Sequence, residues 1–321
     1  MSFVKKITAR VFCNGEGGGN PVTIFCNLLN KESLHVAEKK RLAQSCAWES
    51  VFVQQTGEVP ELSFYMPTGE EVSFCAHAAM GGISQISTED PNKISDSKLF
   101  KFQASMDTSG IVYSAVAYNN AMVTLEFSNV QWVESPISDT RVLLNLLRKT
   151  IGLQSYSLIQ RPNDQFKGIL PTFCNSSIAR PKTLVYVNSL SALHAATPPD
   201  IGPEFRNACD SFNSSTGLYL YTQRYQEEIE AQTTSWECRQ FPRASGYAED
   251  PATGIAAAAL AVSLVSRGIS GPNVKVYQGT TMGRKSLIVV DRVQLQHEST
   301  NVSFCLSGQI QVDKEEEVEI L

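Results

Sequence analysis

The sequence predicts an α+β fold, and three observations carry that reading. Short runs rich in β-branched and aromatic residues dominate the chain, amphipathic helical periodicity is confined to a few stretches, and two further stretches are helical in composition yet almost uncharged. From the N-terminus, Lys6–Phe12 and Val22–Cys26 read as strands on either side of a glycine-rich turn. Ser33 is placed to cap an amphipathic helix that runs to Cys46. Ser50–Gln54 and Ser63–Tyr65 read as strands, and Ala76–Ser87 (AHAAMGGISQIS) is the first uncharged helix. Strand patterns return at Lys101–Gln103, Ile111–Ala117 and Ala121–Phe127, after which Asp139 or Thr140 opens a helix to about Ile151. The remainder reads as strands at Thr183–Val187, Gly217–Thr222, Val274–Gln278, Ser286–Val293 and Asn301–Val312. These are interrupted by a short helix at Pro203–Phe212 and the second uncharged helix at Ala252–Ser266.

A helix that is apolar on every side has to be enclosed by the rest of its domain, so each half of the chain is expected to wrap strands around one central helix. The second such helix is led in by Glu249-Asp250-Pro251, where Asp250 is placed to cap it and Pro251 to fill its first turn. Phe64-Tyr65-Met66-Pro67 before the first helix and Gln240-Phe241-Pro242 before the second are similar lead-ins, a sign of internal duplication. The 321 residues suit two domains, with a boundary within Ser128–Ser138: residues 1–130 and 131–321, the last segment a candidate to pack back on the N-terminal domain.

Composition narrows the function. A net charge of −5 and a pI near 5.5 give no attraction to phosphate backbones or anionic lipid, so neither nucleic acid nor membrane is an expected partner. No apolar run reaches the roughly 18 residues of a membrane helix. The opening MSFVKKITARVF carries charge where a secretion signal would be apolar, so a soluble, cytoplasmic protein is expected. The eight cysteines include no pair at C-x-x-C spacing, and the four histidines are not paired at helical spacing, so no metal and no cofactor are expected. The acidic tail Asp313–Glu319 reads as a solvated end.

Five motifs stand in order along the chain. They are Gly18-Gly19-Asn20-Pro21; Glu49-Ser50-Val51-Phe52-Val53; Met66-Pro67-Thr68-Gly69-Glu70 leading to Cys75-Ala76-His77-Ala78-Ala79; Glu249-Asp250-Pro251-Ala252-Thr253-Gly254; and Gln278-Gly279 with Met282-Gly283-Arg284. Together they resemble the PhzF-like, phenazine biosynthesis-like family, relatives of diaminopimelate epimerase and proline racemase. The resemblance implies the diaminopimelate epimerase-like fold: two pseudo-symmetric domains, each a barrel-like sheet around a buried central helix, with the substrate held between them at the two helix starts. It also makes a homodimer plausible.

The resemblance implies that Glu49 is the catalytic acid/base. Its stretch Ala47-Trp48-Glu49-Ser50-Val51-Phe52 is weakly polar, a setting suited to a carboxyl group that takes up and returns a proton; without the resemblance, a structural glutamate is the simpler reading. His77 would be kept neutral at a helix start, and the resemblance implies that His77 and Asp250 orient the substrate or the proton-carrying group, Asp250 as a mere cap staying open. It further implies substrate binding at Asn20 and, through main-chain N–H groups, at Ala76 and at Gly254, Ile255 and Ala256. Cys75 stands where the epimerase relatives carry one of two opposed thiols. The partner position near Ala252–Thr253 holds no cysteine, so Cys75 reads as structural. Ala76 replaces the family's usual Gly, and Ile255 its usual Ser, which removes a hydroxyl from the anion pocket and dries it. Three functions are open on these residues. One is a cofactor-independent isomerase that shifts a proton and a double bond on a small carboxylate-bearing substrate, with secondary metabolism one setting. The others are an amino-acid epimerase or racemase, and a catalytically silent relative that binds a metabolite or partner.

Overall fold

The fold is that of a computed structural model, which describes residues 2–27, 34–55, 59–89, 96–106, 111–137, 140–158, 169, 171–224, 233–296 and 300–320. The chain divides into two compact units, Met1–Phe127 with Leu306–Leu321, and Ser128–Cys305.

The first unit runs β1 (Ser2–Val11), β2 (Asn20–Asn27), α1 (Val36–Gln44), β3 (Ser50–Gln54), β4 (Glu61–Tyr65), β5 (Glu71–Val72), α2 (Ala76–Glu89), β6 (Ser97–Ala104), β7 (Tyr113–Tyr118) and β8 (Met122–Gln131). Its strands pair in the order β1-β2-β3-β4-β6-β7-β8, with β5 on the side of β4. Every residue of β3 is buried, SVFVQ throughout, because both faces are covered. Val51 and Val53 meet α2, where a side chain on Gly82 would stand 3.2 Å from Val53 and 3.5 Å from Val51. On the opposite face Phe52 stacks on Phe25 at 4.7 Å and joins Leu42 and Ala43 of α1. α2 packs on β1, β2, β3, β4 and β7, and its residues from Ala76 to Ile83 are all buried. The expectation of an enclosed, uncharged first helix is met, and the glycines are part of the reason: an added methyl at Gly81 would come within 3.1 Å of Val22, so the bare backbone lets helix and strand close up.

The second unit runs β9 (Val133–Pro136), α3 (Arg141–Lys149), β10 (Phe173–Ser177), β11 (Lys182–Tyr186), α4 (Leu190–Ala195), α5 (Pro203–Ser211), β12 (Leu218–Gln223), β13 (Thr233–Phe241), α6 (Gly254–Ser266), β14 (Asn273–Gln278) and β15 (Ser286–Leu295). The strands pair in the order β15-β14-β13-β12-β11-β10-β9. One face, through Val185, Val187, Leu218 and Leu220, packs on Leu143, Leu147, Phe205 and Phe212 of the α3 and α5 region. On the other face lies α6, all but encased: Ser176 of β10 donates to the Ala259 carbonyl at 3.3 Å.

Two expectations are corrected, at α1 and at the acidic tail, and the start of α3 is met at Thr140. α1 begins later than the Ser33 cap requires; His35 is its N-cap, with Glu38 accepting from the His35 N–H at 2.7 Å, and Ser33 lies outside the described residues. Asp139 lies outside them too, while Thr140 is the N-cap of α3. The acidic tail is a strand. β16 (Asn301–Ile320) pairs antiparallel with β1, from Ser2 opposite Ile320 to Val11 opposite Ile310. Its carboxylates face the basic residues of β1, which is why so acidic a segment holds an edge: Arg10 donates to both oxygens of Asp313 at 2.7–3.1 Å, and Lys5 and Lys6 approach Glu315 and Glu316 at 3.1 and 3.2 Å.

Candidate functional site

The candidate residues of the first unit gather at the start of α2. Glu49 precedes β3, and its carbonyl accepts from Thr23 N–H at 3.0 Å, extending the parallel β2–β3 ladder in which Thr23 faces Ser50. The Glu49 side chain is buried, and its Oε2 lies 3.9 Å from His77 Nε2. His77 Nδ1 in turn lies 3.4 Å from Cys75 Sγ. Thiol, imidazole and carboxylate therefore follow one another at the mouth of α2. Ala79 N–H to Cys75 carbonyl, 2.9 Å, is an early rung at this helix start, so the amides of Ala76 and His77 stand ahead of it. Asn20 opens β2, buried, opposite Val11. Gly19 before it has φ +95°, and a Cβ there would meet Cys13 Sγ at 2.8 Å and the Val11 carbonyl at 2.9 Å; only glycine makes that turn.

Burial holds the His77 imidazole below its ordinary pKa, with the Glu49 charge opposing. Neutral imidazole is the expected form, with burial as its cause. A proton consequence follows. The unfolded chain binds a proton at this residue near the ordinary value of about 6.5, while the folded chain resists it to lower pH. The contribution to stability is thus present above that value and is lost as pH falls toward the folded-state value. His77→Gln should make the melting temperature fall less steeply between about pH 7.5 and 5 than in wild type. Parallel profiles would show that His77 titrates alike in both states.

In the second unit the lead-in to α6 is corrected. Asp250 neither caps the helix nor begins it, and Pro251 lies outside its first turn. Asp250 forms a bridge with Gln240, its Oδ2 accepts from Thr253 Oγ at 2.6 Å, and its carbonyl accepts from Gln278 Nε2 at 2.7 Å. These bonds hold residues 250–252 out of helix, and α6 starts at Gly254 with Thr253 as N-cap. Gln278 Oε1 accepts from Thr253 N–H at 3.2 Å and from Tyr219 Oη at 3.0 Å, so Tyr219 and Gln278 hold the helix start from the sheet. The helical ladder opens with Ala257 N–H to Thr253 carbonyl, and the amides of Gly254, Ile255 and Ala256 precede it. Gly254 and Ala256 are buried, while Ile255 is half-buried.

Sequence reasoning did not single out Tyr219 and Lys182, both buried on the α6 face of the sheet; the one signal for Lys182 was a lysine directly before the apolar run Thr183–Val187. Among the described residues no group of His, Cys, Asp and Glu is placed to hold a metal ion, and no helix is long and apolar enough to cross a membrane.

The phenazine biosynthesis-like protein family, PhzC-PhzF, matches residues 9–309. The chain belongs to this family. The PhzF-family phenazine biosynthesis protein of Bacillus anthracis superposes with a TM-score of 0.77 at 20% identity, with 100% of both chains covered. The PhzF-family protein of Enterococcus faecalis gives 0.68 at 14%, covering 99% of this chain and 100% of its own. A hydroxyproline epimerase of Agrobacterium vitis, solved with bound trans-4-hydroxy-L-proline, gives 0.55 at 9%, covering 99% and 91%. These likenesses establish a mixed α/β fold shared with PhzF proteins and proline racemase-like structures. No curated protein is significantly similar to the chain in sequence.

Proposed function

We propose that this PhzF-family chain is a cofactor-independent isomerase acting on a small carboxylate-bearing substrate. The observation that carries the reading is the buried Glu49 carboxylate beside His77 at the start of α2. Glu49 takes a proton from a carbon next to an unsaturated or carbonyl-bearing system, the electron pair moves into the π system, and the proton returns at another carbon, so the double bond shifts and nothing else is consumed. His77 orients the carboxyl group or the substrate. Substrate binding is assigned to Asn20 and the Ala76 amide in the first unit and to the amides of Gly254, Ile255 and Ala256 in the second, and Asp250 orients the substrate or the proton-carrying group. Ile255 in place of a hydroxyl favours a substrate less polar at that point than the anthranilate-type acids of phenazine synthesis.

This reading brings with it a cytoplasmic homodimer and two domains, residues 1–130 and 131–321 with the last segment packed back on the first, each a barrel-like sheet around α2 or α6. In the first domain it is supported by β16 pairing with both β8 and β1. The contact of Cys75 with His77 favours one second reading, an epimerase in which a thiol shares the proton work. Incubating the protein in D₂O with a panel of small unsaturated and amino carboxylic acids separates the two. Deuterium at a carbon remote from the one deprotonated supports the isomerase, deuterium at an α-carbon with inversion supports the epimerase, and no uptake with any acid overturns both in favour of a silent binding protein.

A further inference from the structure

Lys182 is a buried lysine that the proposed chemistry does not use. It opens β11 with 3% of its surface exposed. Its neighbours fix the face it occupies. Lys182 pairs with Ser176 of β10, and the Ser176 hydroxyl reaches the α6 carbonyl of Ala259. Leu184, two residues on, pairs with Tyr219 of β12, and the Tyr219 hydroxyl reaches Gln278 under the α6 lead-in. Thr183 points the opposite way, to Asn175 and the α5 side, where Asn175 donates to the Phe212 carbonyl. Lys182 therefore stands on the α6 side of the sheet. Its place along the helix is also set. Tyr221, whose ring packs on that of Tyr186 at the other end of β11, is under the charges of Glu134 and Arg267, the latter just past the C-terminal end of α6. At the other end, Leu184, Tyr219, Gln240 and Asp250 follow one another across the strands, and Lys182, two residues before Leu184 on the same face, is under the charge of Asp250, three residues before the N-cap of the same helix.

A buried ammonium needs compensation. Asp250 is the favourable charge acting on Lys182 and Arg180 opposes it; the Asp250 carboxylate also accepts from Thr253 Oγ at 2.6 Å and Ala252 N–H at 3.4 Å. Burial, followed by Arg180, pushes the amine down to about 7. A buried cation beside a helix start whose first amides precede the ladder is suited to an anion.

We propose that Lys182 is a specificity-determining residue of the second unit, its ammonium receiving the anionic group of the substrate beside the first turn of α6. The proposal deepens the reading above and rests on it in one respect, that the substrate is a small acid. It also gives a reason why the family's hydroxyl is dispensable at Ile255: a lysine of the sheet joins the helix amides in meeting the acid group.

The probes are 2-aminobenzoate and 2-aminobenzamide, equal in size and differing in charge, titrated calorimetrically into the full-length protein. Wild type should prefer the acid by about tenfold or more, the worth of a charge-assisted hydrogen bond, and Lys182→Met should bring the two to near equality. A preference that survives in Lys182→Met, or a wild type that binds both equally or neither, overturns the proposal. Should Lys182→Met fail to fold, amine acetylation of wild type with peptide mapping serves instead. 2-Aminobenzoate should protect Lys182 where 2-aminobenzamide does not, and equal labelling overturns the assignment. Deuterium uptake by wild type is scored separately. Uptake without charge preference removes Lys182 alone, whereas charge preference without uptake removes the isomerase chemistry alone.

Discussion

Glu49→Gln should slow deuterium uptake into any acid the wild type accepts by about a hundred- to ten-thousand-fold, the range a positioned acid/base supplies. The amide has the shape of the carboxyl group and cannot carry the proton. The fold should tolerate it, because the amide fills the same space and the backbone tie is untouched: Thr23 N–H to the Glu49 carbonyl at 3.0 Å, continuing into the β2–β3 ladder. Exchange followed by NMR, with a thermal melt on the same sample, checks both halves. Cys75→Ala supplies the contrast. In the isomerase reading the thiol touches His77 and not the substrate carbon, so its loss should cost far less than that of Glu49. Exchange that persists in Glu49→Gln and disappears in Cys75→Ala would move the proton chemistry to the thiol.

Much of the fold was legible because the two central helices break the rule that ordinary helices obey. AHAAMGGISQIS and ATGIAAAALAVSLVS have no polar face, so they had to be enclosed, and α2 and α6 are. Strand β3 was legible for a related reason, an apolar run too short for a helix. What was missed carries charge in buried places. β13 was not read as a strand, since Glu237 and Arg239 in TTSWECRQF look like a solvated stretch; both are buried, Glu237 by Arg224 at 2.9 Å and Arg239 by Glu249 at 2.7 Å. Single-residue patterning has no access to a partner ten or more positions away.

The site was legible by residue and not by geometry. The motifs pointed to Glu49, His77 and Asp250, but a cap was read at Asp250 because Asp followed by Pro is a helix-start signal. The side chain of Gln278 and the bridge to Gln240, both remote in sequence, hold that segment out of helix instead. Lys182 was passed over because a lysine at the edge of an apolar run is ordinarily solvated, and its burial is a property of the sheet.

The largest stability effect should come from Arg239, which ties the α6 lead-in to α4. Its Nε and Nη2 donate to the two oxygens of Glu249 at 2.8 and 2.7 Å, and its Nη1 donates to the carbonyls of Leu193, at 3.1 Å, and of Ala196. The guanidinium thus compensates a buried carboxylate and satisfies the last carbonyls of a six-residue helix that has few other means of ending. Arg239→Met takes the guanidinium away from the Phe241 ring, over which it lies at 5.0 Å, and leaves Glu249 buried without its countercharge; it should cost about 3–5 kcal/mol in denaturant unfolding. Arg239→Met with Glu249→Leu should recover a large part of that loss, since removing both charges also removes the cost of desolvating them. A double variant no more stable than the single one would show that the bonds to α4, rather than the ion pair, carry the effect. Because Glu249 adjoins Asp250, the same single variant should also weaken acid binding at the start of α6, and the double variant should restore binding only if the lead-in regains its shape.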